Sequence, residues 1–206
     1  MGRWEGIEIM IVAVQTPRRR FRMKLTEQVH ELIRRHVLSG DVAVDATMGN
    51  GHDTQFLAEV VGATGSVYGF DVQAAAIEAT RGLIGAHGVE NVHLVQACHS
   101  ELEGYLPAAA VGDVSVVVFN LGYLPGGDKE LVTRPQTTVA AVEVAYRLLR
   151  AGGLISVLAY IGHAGGVEEA DAVEAAMDEL PNCEWVRRDV AVGGSTSPRL
   201  LVVRKG

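Results

Sequence analysis

The sequence predicts an α/β protein with a doubly wound, mostly parallel seven-stranded sheet and a C-terminal antiparallel hairpin. Short runs rich in valine, isoleucine and leucine alternate with longer segments in which apolar residues recur at helical spacing. Hydrophobic residues make up 48% of the chain and aromatic residues only 5%, a composition common where parallel strands are buried on both faces. The last two extended runs are joined by residues 193–198, too short a link for a helical crossover, which favours a hairpin.

The predicted elements alternate regularly along the chain. Extended runs are expected at residues 41–46, 65–71, 92–96, 113–119, 154–159, 184–192 and 199–204. Helices are expected around residues 25–37 and 56–61, and over residues 73–86, 137–150 and 167–180. Gly152 and Gly153 are the expected C-terminal stop of the fourth helix. Because strands that alternate with helices form right-handed crossovers, the first five strands should lie parallel in a Rossmann-like sheet covered on both faces.

The 206 residues are predicted to form one domain, because the chain has no internal repeat, low-complexity tract or linker. We place this domain at residues 24–206 and predict that residues 1–23 are an N-terminal extension, disordered in part. Residues 1–24 hold six basic and two acidic side chains, so the extension is alternatively a local basic patch. The whole chain has a net charge of −7, and an acidic domain argues against indiscriminate phosphate binding.

The sequence also bears on location and redox state. No apolar run reaches the length of a membrane span, and the N-terminus lacks the apolar core of a secretory signal. Cys98 and Cys183 stand far apart, without a CxxC or metal-type partner. We therefore expect a cytoplasmic protein with reduced thiols, no metal site and no membrane partner.

The loop after the first predicted strand, residues 45–54, is rich in glycine and polar residues. Gly49 and Gly51 allow a tight turn at the start of a helix, where phosphates and nucleotides often bind. However, Thr54 stands where the dinucleotide fingerprint G-x-G-x-x-G needs its third glycine, and the lysine of a P-loop is also missing. Such a turn alone is weak evidence, because a glycine-rich turn is often purely structural.

The acid that ends the second strand favours a particular ligand. Asp71 lies twenty residues beyond Gly51, the spacing at which an acid binds the two hydroxyls of a ribose. The two loops together predict a ligand with an adenosine-like ribose but no pyrophosphate, and S-adenosylmethionine (AdoMet) fits that description. Its amino-acid end needs polar partners, which the first loop supplies with Asp45, Asn50, His52, Asp53 and Thr54.

The loop after the third predicted strand is Ala97-Cys-His-Ser100. AdoMet enzymes often place near this position an acid that binds the adenine amine. This chain offers His99 and Ser100 instead, followed by Glu101 and Glu103 on a predicted short helix. His99 is either a cofactor contact or a packing residue.

The loop after the fourth predicted strand begins with Asn120 and suits the binding of an amine. The side-chain oxygen of Asn120 and the backbone carbonyl of Leu121 can each accept a hydrogen bond from an amine N–H. Gly122 allows a tight turn, and Tyr123 can stack on a planar base, as recognition of single-stranded RNA requires. The alternative is that Asn120 only turns the chain, with Tyr123 packed behind it.

Four segments resemble those of a known family, namely residues 45–54, 70–73, 120–129 and 160–168. They are similar to those of the small AdoMet-dependent proteins described as putative rRNA methylases, which are class I methyltransferases. The MnmM (YtqB-like) group of this family methylates the aminomethyl arm of the wobble uridine in tRNA, forming 5-methylaminomethyl-2-thiouridine. The resemblance runs from about residue 24 to the end. It implies the class I methyltransferase fold, AdoMet as cofactor, S-adenosylhomocysteine (AdoHcy) as product and the tRNA anticodon loop as partner, and it favours a homodimer over a monomer.

The resemblance and the chemistry of the loops together predict the site residues. The resemblance implies cofactor contacts from Asn50, Gly51, His52, Asp53, Asp71, Gln73 and His99. The loops themselves add as cofactor candidates Asp45, Thr47, Gly49, Thr54, Val72, Ser100 and Asn120. The expected substrate contacts are Leu121, Gly122, Tyr123, Gly126, Gly127, Lys129 and Arg134. The expected catalytic residues are Asn120, Tyr123, Asp128 and His163.

The predicted reaction is the direct displacement of a sulfonium methyl group by an amine, which an enzyme assists mainly by alignment and exclusion of water. An alkyl amine must first lose a proton that neutral asparagine cannot take, so the base is water, Asp128 or His163. Lys129 and Arg134 are expected to form a cationic rim for RNA, or simply a solvated surface. The alternatives are a methyltransferase for ribosomal RNA or a small molecule, and a non-catalytic nucleotide-binding or RNA-binding module. The missing third glycine argues against a nicotinamide reductase.

Overall fold

The computed structural model of this protein describes residues 23–127, 130–189 and 196–206. Its strands are β1 (Val42–Asp45), β2 (Ser66–Asp71), β3 (Val92–Gln96), β4 (Val114–Leu121), β5 (Leu149–Ala159), β6 (Cys183–Arg188) and β7 (Arg199–Lys205). They form one sheet in the order β3-β2-β1-β4-β5-β7-β6, with β1 to β5 parallel and β7 antiparallel to both its neighbours. The predicted fold class, with its seven strands and C-terminal antiparallel hairpin, is therefore confirmed.

The helices begin close to their predicted positions. They are α1 (Leu25–His36), α2 (His52–Val61), α3 (Ala74–Ala86), α4 (Pro135–Leu148) and α5 (Gly166–Asp178), with short 3-10 helices at His99–Gly104 and Ala108–Ala110. Pro135 occupies the first turn of α4, where its missing N–H leaves no hydrogen bond unmade. In the part of the chain that the structure covers, no helix is long and apolar enough to cross a bilayer.

The predicted end of the fourth helix is wrong. Helix α4 ends at Leu148, and β5 begins at the next residue, so Gly152 and Gly153 belong to a strand and do not cap a helix. A Cβ atom at Gly153 would lie 3.0 Å from the carbonyl oxygen of Val114, so glycine allows the close approach of β5 to β4. The last carbonyls of the helix region are bound instead by Lys205, whose Nζ donates to the carbonyl oxygens of Tyr146 and Leu149 at 2.9 and 2.8 Å.

Two other boundaries differ from the prediction. Strand β4 continues to Leu121, so Asn120 lies inside the strand, paired with Leu158 of β5. Strand β6 ends at Arg188, and the last part of the predicted run, at 190–192, lies outside the described residues. The predicted extension, apart from residue 23, also lies outside them, as do Asp128 and Lys129.

The core consists of two buried clusters on opposite faces of the sheet. Successive residues of β4 point to opposite faces, so Val117 and Phe119 pack with α4 and α5, whereas Val116 and Val118 pack with α1 and α2. All six residues from 114 to 119 are buried, as expected for a central parallel strand. Because parallel strands end at one edge of the sheet, this core brings the loops after β1, β2, β3 and β4 together.

Candidate active site

A pocket of about 740 Å³ lies where the carboxyl ends of β1 to β5 meet. This volume suits a small-molecule ligand or cofactor. Most of the candidate residues line it, namely Thr47, Gly49, Asn50, His52, Asp53, Asp71, Val72, Gln73, His99, Asn120, Leu121, Gly122, Tyr123 and Arg134. The described candidates that do not line it are Asp45, Gly51, Thr54, Ser100, Gly126, Gly127 and His163. Asp128 and Lys129 lie outside the described residues.

Asp45 lies beneath the first loop. It is fully buried and accepts hydrogen bonds from the Thr54 hydroxyl at 2.6 Å and from the backbone N–H of Thr47 at 3.2 Å. Burial raises the pKa of Asp45 to about 7, and the neighbouring Asp53 carboxylate acts in the same direction. These contacts suit Asp45 and Thr54 for holding the loop in shape.

The glycine-rich turn is pressed against α3. Gly51 has φ +84° and precedes the first residue of α2. A Cβ atom there would lie 2.8 Å from both Cγ2 and Oγ1 of Thr80, so only glycine fits without displacement. The same Thr80 hydroxyl donates a hydrogen bond to the carbonyl oxygen of Gly49 at 3.0 Å. The turn is thus fixed from behind, and Gly49 and Asn50 line the pocket.

Asp71 lines the pocket and can accept more hydrogen bonds than it does within the protein. Its Oδ2 accepts the backbone N–H of Gly49 at 3.1 Å, and its Oδ1 accepts that of Gln73 at 2.9 Å. Burial raises the pKa of Asp71, although these backbone hydrogen bonds lower it in part. Each carboxylate oxygen can accept a further hydrogen bond, so the side chain can still bind two hydroxyl groups. Val72, 54% exposed, adds an apolar surface beside it.

His99 both lines the pocket and packs in the core. It is 8% exposed, its Nε2 lies 3.4 Å from the Thr138 hydroxyl, and its ring meets Phe119 edge to face. Burial lowers the pKa of His99 to about 4, so the imidazole is neutral near pH 7. Ser100 lies away from the pocket, and its hydroxyl is 3.1 Å from Sγ of Cys98.

Asn120 is held by two residues, and a third residue holds one of these two. Its backbone N–H donates to the Thr47 hydroxyl at 2.6 Å, and its side-chain Nδ2 donates to Oδ2 of Asp53 at 2.7 Å. The other oxygen of Asp53 lies 2.6 Å from Nε2 of His30. Burial alone would raise the pKa of Asp53, but the hydrogen bonds from His30 and Asn120 lower it below its ordinary value, so Asp53 is a carboxylate. A carboxylate accepts hydrogen bonds only, which leaves Oδ1 of Asn120 as the acceptor available to a ligand.

The backbone carbonyl of Leu121 is already engaged. It accepts the backbone N–H of Tyr160 at 3.0 Å, as part of the contact between β4 and β5. The next residue, Gly122, donates its N–H to the Thr133 hydroxyl and accepts the Thr133 N–H on its carbonyl, both at 3.0 Å. One lone pair of the Leu121 carbonyl, the expected second acceptor for an amine, is therefore used by the fold, and the other can still accept a hydrogen bond from a ligand.

A buried carboxylate holds the loop that forms the outer wall of the pocket. Glu169 of α5 is 1% exposed and accepts hydrogen bonds from the hydroxyls of Thr133 at 2.7 Å and Thr138 at 2.6 Å. Thr133 lines the pocket, whereas Thr138 is the residue that His99 contacts. The network thus connects Thr133 on one side of the pocket with His99 on the other.

His163 lies behind the turn at Gly122. Its Nδ1 lies 3.0 Å from the Ala164 carbonyl oxygen, which requires a proton on Nδ1. Its Nε2 is buried and has no hydrogen-bond partner within the described residues. His163 does not itself line the pocket, but its ring meets the ring of Tyr123, which does, with centroids 6.3 Å apart.

Sequence reasoning missed several residues that line the pocket. Tyr160, 44% exposed, follows β5 directly, so the rule that drew attention to Asn120 would also have found it. Burial raises the pKa of Tyr160, as does the nearby Asp53 carboxylate, so its phenol is neutral near pH 7. Other missed lining residues are Thr26, Met48, Leu124, Leu131 and Thr133. His30 was missed because no local pattern marks a contact between residues 23 positions apart.

Metal ligands do not form a cluster in the described segments. No group of three or more histidine, cysteine, aspartate or glutamate side chains is placed there to hold a metal ion.

Comparison with known proteins identifies the relatives of this chain. The family model described as "Putative rRNA methylase" matches residues 67–203. A curated protein of Arabidopsis thaliana, named tRNA (mnm(5)s(2)U34)-methyltransferase, chloroplastic, is 42% identical over 174 residues, which are 80% of this chain and 63% of the relative. The chain thus spans less than two thirds of that relative's length.

Solved structures agree with this family match. A structure from Clostridium thermocellum, described as a putative rRNA-methylase, has a TM-score of 0.82 and 36% identity, covering 89% of this chain and 98% of the other. A structure from Streptococcus mutans, described as a putative methyltransferase in complex with SAH, has a TM-score of 0.78 and 30% identity, covering 89% and 99%. The family match extends over most of the sheet and the site after β4, and the chain belongs to the putative rRNA methylase family.

Proposed function

We propose that this protein is an AdoMet-dependent N-methyltransferase that acts on tRNA, converting the aminomethyl group of the wobble uridine to methylaminomethyl(-2-thio)uridine. The observation that carries the proposal is the fixed carboxamide of Asn120, whose free oxygen lies in a pocket shared with Asp71 and the glycine-rich turn. The Arabidopsis relative, named as a tRNA (mnm(5)s(2)U34)-methyltransferase, supports the choice of substrate.

The residues present fit AdoMet. Asp71 can bind the two hydroxyl groups of the ribose, and the turn at Gly49 leaves room for the amino-acid end of the cofactor. Val72 offers an apolar surface for the adenine ring. The complex of the Streptococcus mutans relative with SAH supports the same assignment. When bound, the cofactor supplies an electrophilic methyl group on a sulfonium.

The protein contributes alignment of the amine. Oδ1 of Asn120 accepts one N–H of the substrate amine and so orients the nitrogen lone pair. Tyr123 and Tyr160, 42% and 44% exposed, flank the Asn120 end of β4 and offer flat surfaces for a pyrimidine base. Leu124 and Leu131 make part of the wall apolar, which helps to exclude water.

The proton of the substrate ammonium leaves by a separate route, because the Asn120 carboxamide cannot accept it. The Nδ1 proton of His163 is held by the Ala164 carbonyl, so its Nε2 carries the lone pair of a base. However, this atom is buried behind the Gly122 turn and His163 does not line the pocket, which disfavours it as the base. Water in the open pocket and Asp128 are the remaining candidates, and Asp128 lies outside the described residues.

The proposed partner is the anticodon loop of tRNA, in which the wobble base is already unpaired and can enter a pocket at low cost. Arg134 is exposed and lines the pocket, so it supplies positive charge near the entering base. A role for Lys129 and the N-terminal basic residues in the same contact, a homodimeric state and a cytoplasmic location stay predictions.

Methyl transfer from tritiated AdoMet to tRNA lacking this modification tests the proposal, with mass spectrometry of the nucleosides to locate the methyl group. We expect label in the wobble uridine of tRNA but not in ribosomal RNA. Asn120→Ala should lower kcat at least about 100-fold with unchanged AdoHcy affinity, because only alignment is lost. Asp71→Ala should weaken AdoHcy binding in calorimetry.

Two other results would each reject part of the proposed function. Label in ribosomal RNA, or in neither RNA while AdoHcy still binds, would reject tRNA as the substrate. Absence of AdoHcy binding by the unmodified protein would reject the enzyme assignment and favour a nucleotide-binding or RNA-binding module.

A further inference from the structure

Three side chains from different elements form a continuous hydrogen-bonded chain that ends at the pocket. His30 of α1 contacts Oδ1 of Asp53 at 2.6 Å, and Oδ2 of Asp53 accepts Nδ2 of Asn120 at 2.7 Å. The side chains of His30 and Asp53 are only 23% and 20% exposed, which limits competition from water. Each oxygen of Asp53 therefore accepts a hydrogen bond within the protein.

We propose that Asp53 and His30 are positioning residues for methyl transfer. Asp53 sets the orientation of the Asn120 carboxamide, and His30 sets the orientation of Asp53. This inference rests on the proposed function, and it changes the role expected for Asp53 from a cofactor contact to a group that acts through Asn120.

The need for such a pair follows from the near symmetry of a carboxamide. Rotated by half a turn about its last bond, the Asn120 side chain occupies almost the same space but presents N–H donors to the substrate. A donor facing the lone pair of an amine would hold it away from the methyl group. Because the Asp53 carboxylate only accepts hydrogen bonds, it allows a single orientation, in which Oδ1 faces the ligand.

The position of His30 is itself fixed by packing. Its ring stacks on Phe56 of α2, with centroids 3.7 Å apart and planes 6° from parallel. Phe56 is buried, and the Arg34 guanidinium lies 4.7 Å from the centroid of its ring. Helix α1 is thereby attached to the helix that carries Asp53, so the orientation of the carboxylate is determined by two helices together.

The substitution Asp53→Asn is the sharpest test, because it changes the pattern of donors and acceptors without changing shape. In the tautomer that His30 adopts against a carboxylate, with the proton on Nε2, the carbonyl oxygen of the new side chain accepts this N–H and its amide nitrogen faces Asn120. Asn120 would then have to turn its oxygen toward position 53 and its nitrogen toward the substrate. The ¹⁵N shifts of the His30 ring in the labelled variant verify that tautomer. We expect kcat for tRNA to fall on the order of 10- to 100-fold, with KM and AdoHcy affinity changed less than about twofold.

Exchanging the two residues should restore the pattern. In the double variant Asp53→Asn/Asn120→Asp, one oxygen at position 120 accepts the amide N–H at position 53, and the other oxygen faces the amine. We expect kcat to recover about tenfold relative to Asp53→Asn alone.

His30→Phe tests the role of His30, because the new side chain keeps a flat ring against Phe56 but has no N–H to donate to Asp53. We expect a fall in kcat of about tenfold. The control is His36→Phe on the same helix, because His36 Nδ1 bonds only the Leu32 carbonyl at 2.9 Å and lies away from the pocket. His36→Phe should leave kcat unchanged.

A second measurement does not depend on the substrate. In ¹⁵N-labelled protein, the side-chain amide protons of Asn120, assigned by their loss in Asn120→Ala, should shift in Asp53→Asn and in His30→Phe but not in His36→Phe. If wild-type protein methylates no tRNA, the proposed function fails, and the amide shifts alone decide the positioning pair. Unchanged kcat or unchanged amide signals in Asp53→Asn, no recovery in the double variant, or a loss of AdoHcy affinity as large as the loss of kcat would each overturn the inference.

Discussion

The substitution Gly51→Ala tests the structure of the glycine-rich turn directly. Gly51 has φ +84°, in the region that residues with a side chain rarely adopt. The added methyl group would also meet Thr80 of α3, with Cγ2 and Oγ1 at 2.8 Å and Cα at 3.0 Å. The variant therefore combines two costs, one from the backbone and one from packing.

The two costs can be estimated separately. A left-handed backbone conformation costs a residue with a Cβ about 1–2 kcal/mol. Forcing a methyl group into a packed region costs about 1–3 kcal/mol more. The free energy of unfolding should thus fall by about 2–5 kcal/mol, and the melting temperature should fall by about 2–4 °C for each kcal/mol in a chain of this size.

Gly112→Ala is the matched control. Gly112 has φ +80°, and a Cβ atom there would have no neighbour within 4 Å. The backbone cost and the effect on the unfolded chain are therefore the same in both variants and cancel in the comparison. The remaining difference of about 1–3 kcal/mol is the contact with Thr80.

Denaturant unfolding followed by circular dichroism, without any ligand, measures both variants. Equal losses of stability in Gly51→Ala and Gly112→Ala would refute the close approach of the turn to α3. In Gly51→Ala, a further substitution Thr80→Ala should recover part of the loss, because it removes two of the three close atoms.

Two further perturbations probe the buried groups beside the pocket. Burial lowers the pKa of His99 from its ordinary value of 6.5 to about 4, so the folded state binds its proton less readily than the unfolded chain. The contribution of neutral His99 to the free energy of unfolding is complete above pH 6.5 and is lost as the pH falls through about 4. The loss amounts to about 3 kcal/mol. His99→Gln should remove this part of the pH dependence of unfolding. Glu169→Gln should lower the free energy of unfolding by about 1–3 kcal/mol. In the wild type, the Thr133 and Thr138 hydroxyls each donate to one oxygen of Glu169, and the new amide group would replace one of these acceptors with a donor. The adjacent exposed Glu168→Gln should cost almost nothing, and equal effects of the two glutamine variants would contradict the buried network.

Much of the fold was predictable because it depends on patterns within short segments. The apolar runs of β1 to β5 and the helical spacing between them are local, and their alternation determines which edge of the sheet carries the site. The position of Asn120 followed from this alternation. The end of α4 was not predictable in the same way, because Gly153 serves a contact between β5 and β4 that no neighbouring residue indicates.

The candidate site was predictable only as a set of loops. Which atoms remain available depends on contacts between distant residues. The carbonyl of Leu121 accepts the N–H of Tyr160, and each oxygen of Asp53 accepts a hydrogen bond within the protein, and the loop patterns alone indicated none of these contacts. No local pattern marked His30, since its contact with Asp53 depends on the packing of α1 against α2.

In the proposed reaction, the arrangement around Asn120 would let a neutral side chain organise methyl transfer. A displacement at carbon requires the nucleophile to be held within narrow limits of distance and angle, so the acceptor must not move when the substrate enters. Strand β4 is paired with β1 on one side and β5 on the other, and the residue's own N–H and carboxamide are fixed by Thr47 and Asp53. The opposite wall is formed by the segment that ends at Thr133, which is attached to the body through hydroxyl contacts with Gly122 and Glu169. The acceptor thus belongs to the sheet, whereas the wall that meets the substrate belongs to a loop, and substrate choice can change through that loop without disturbing the alignment of the amine.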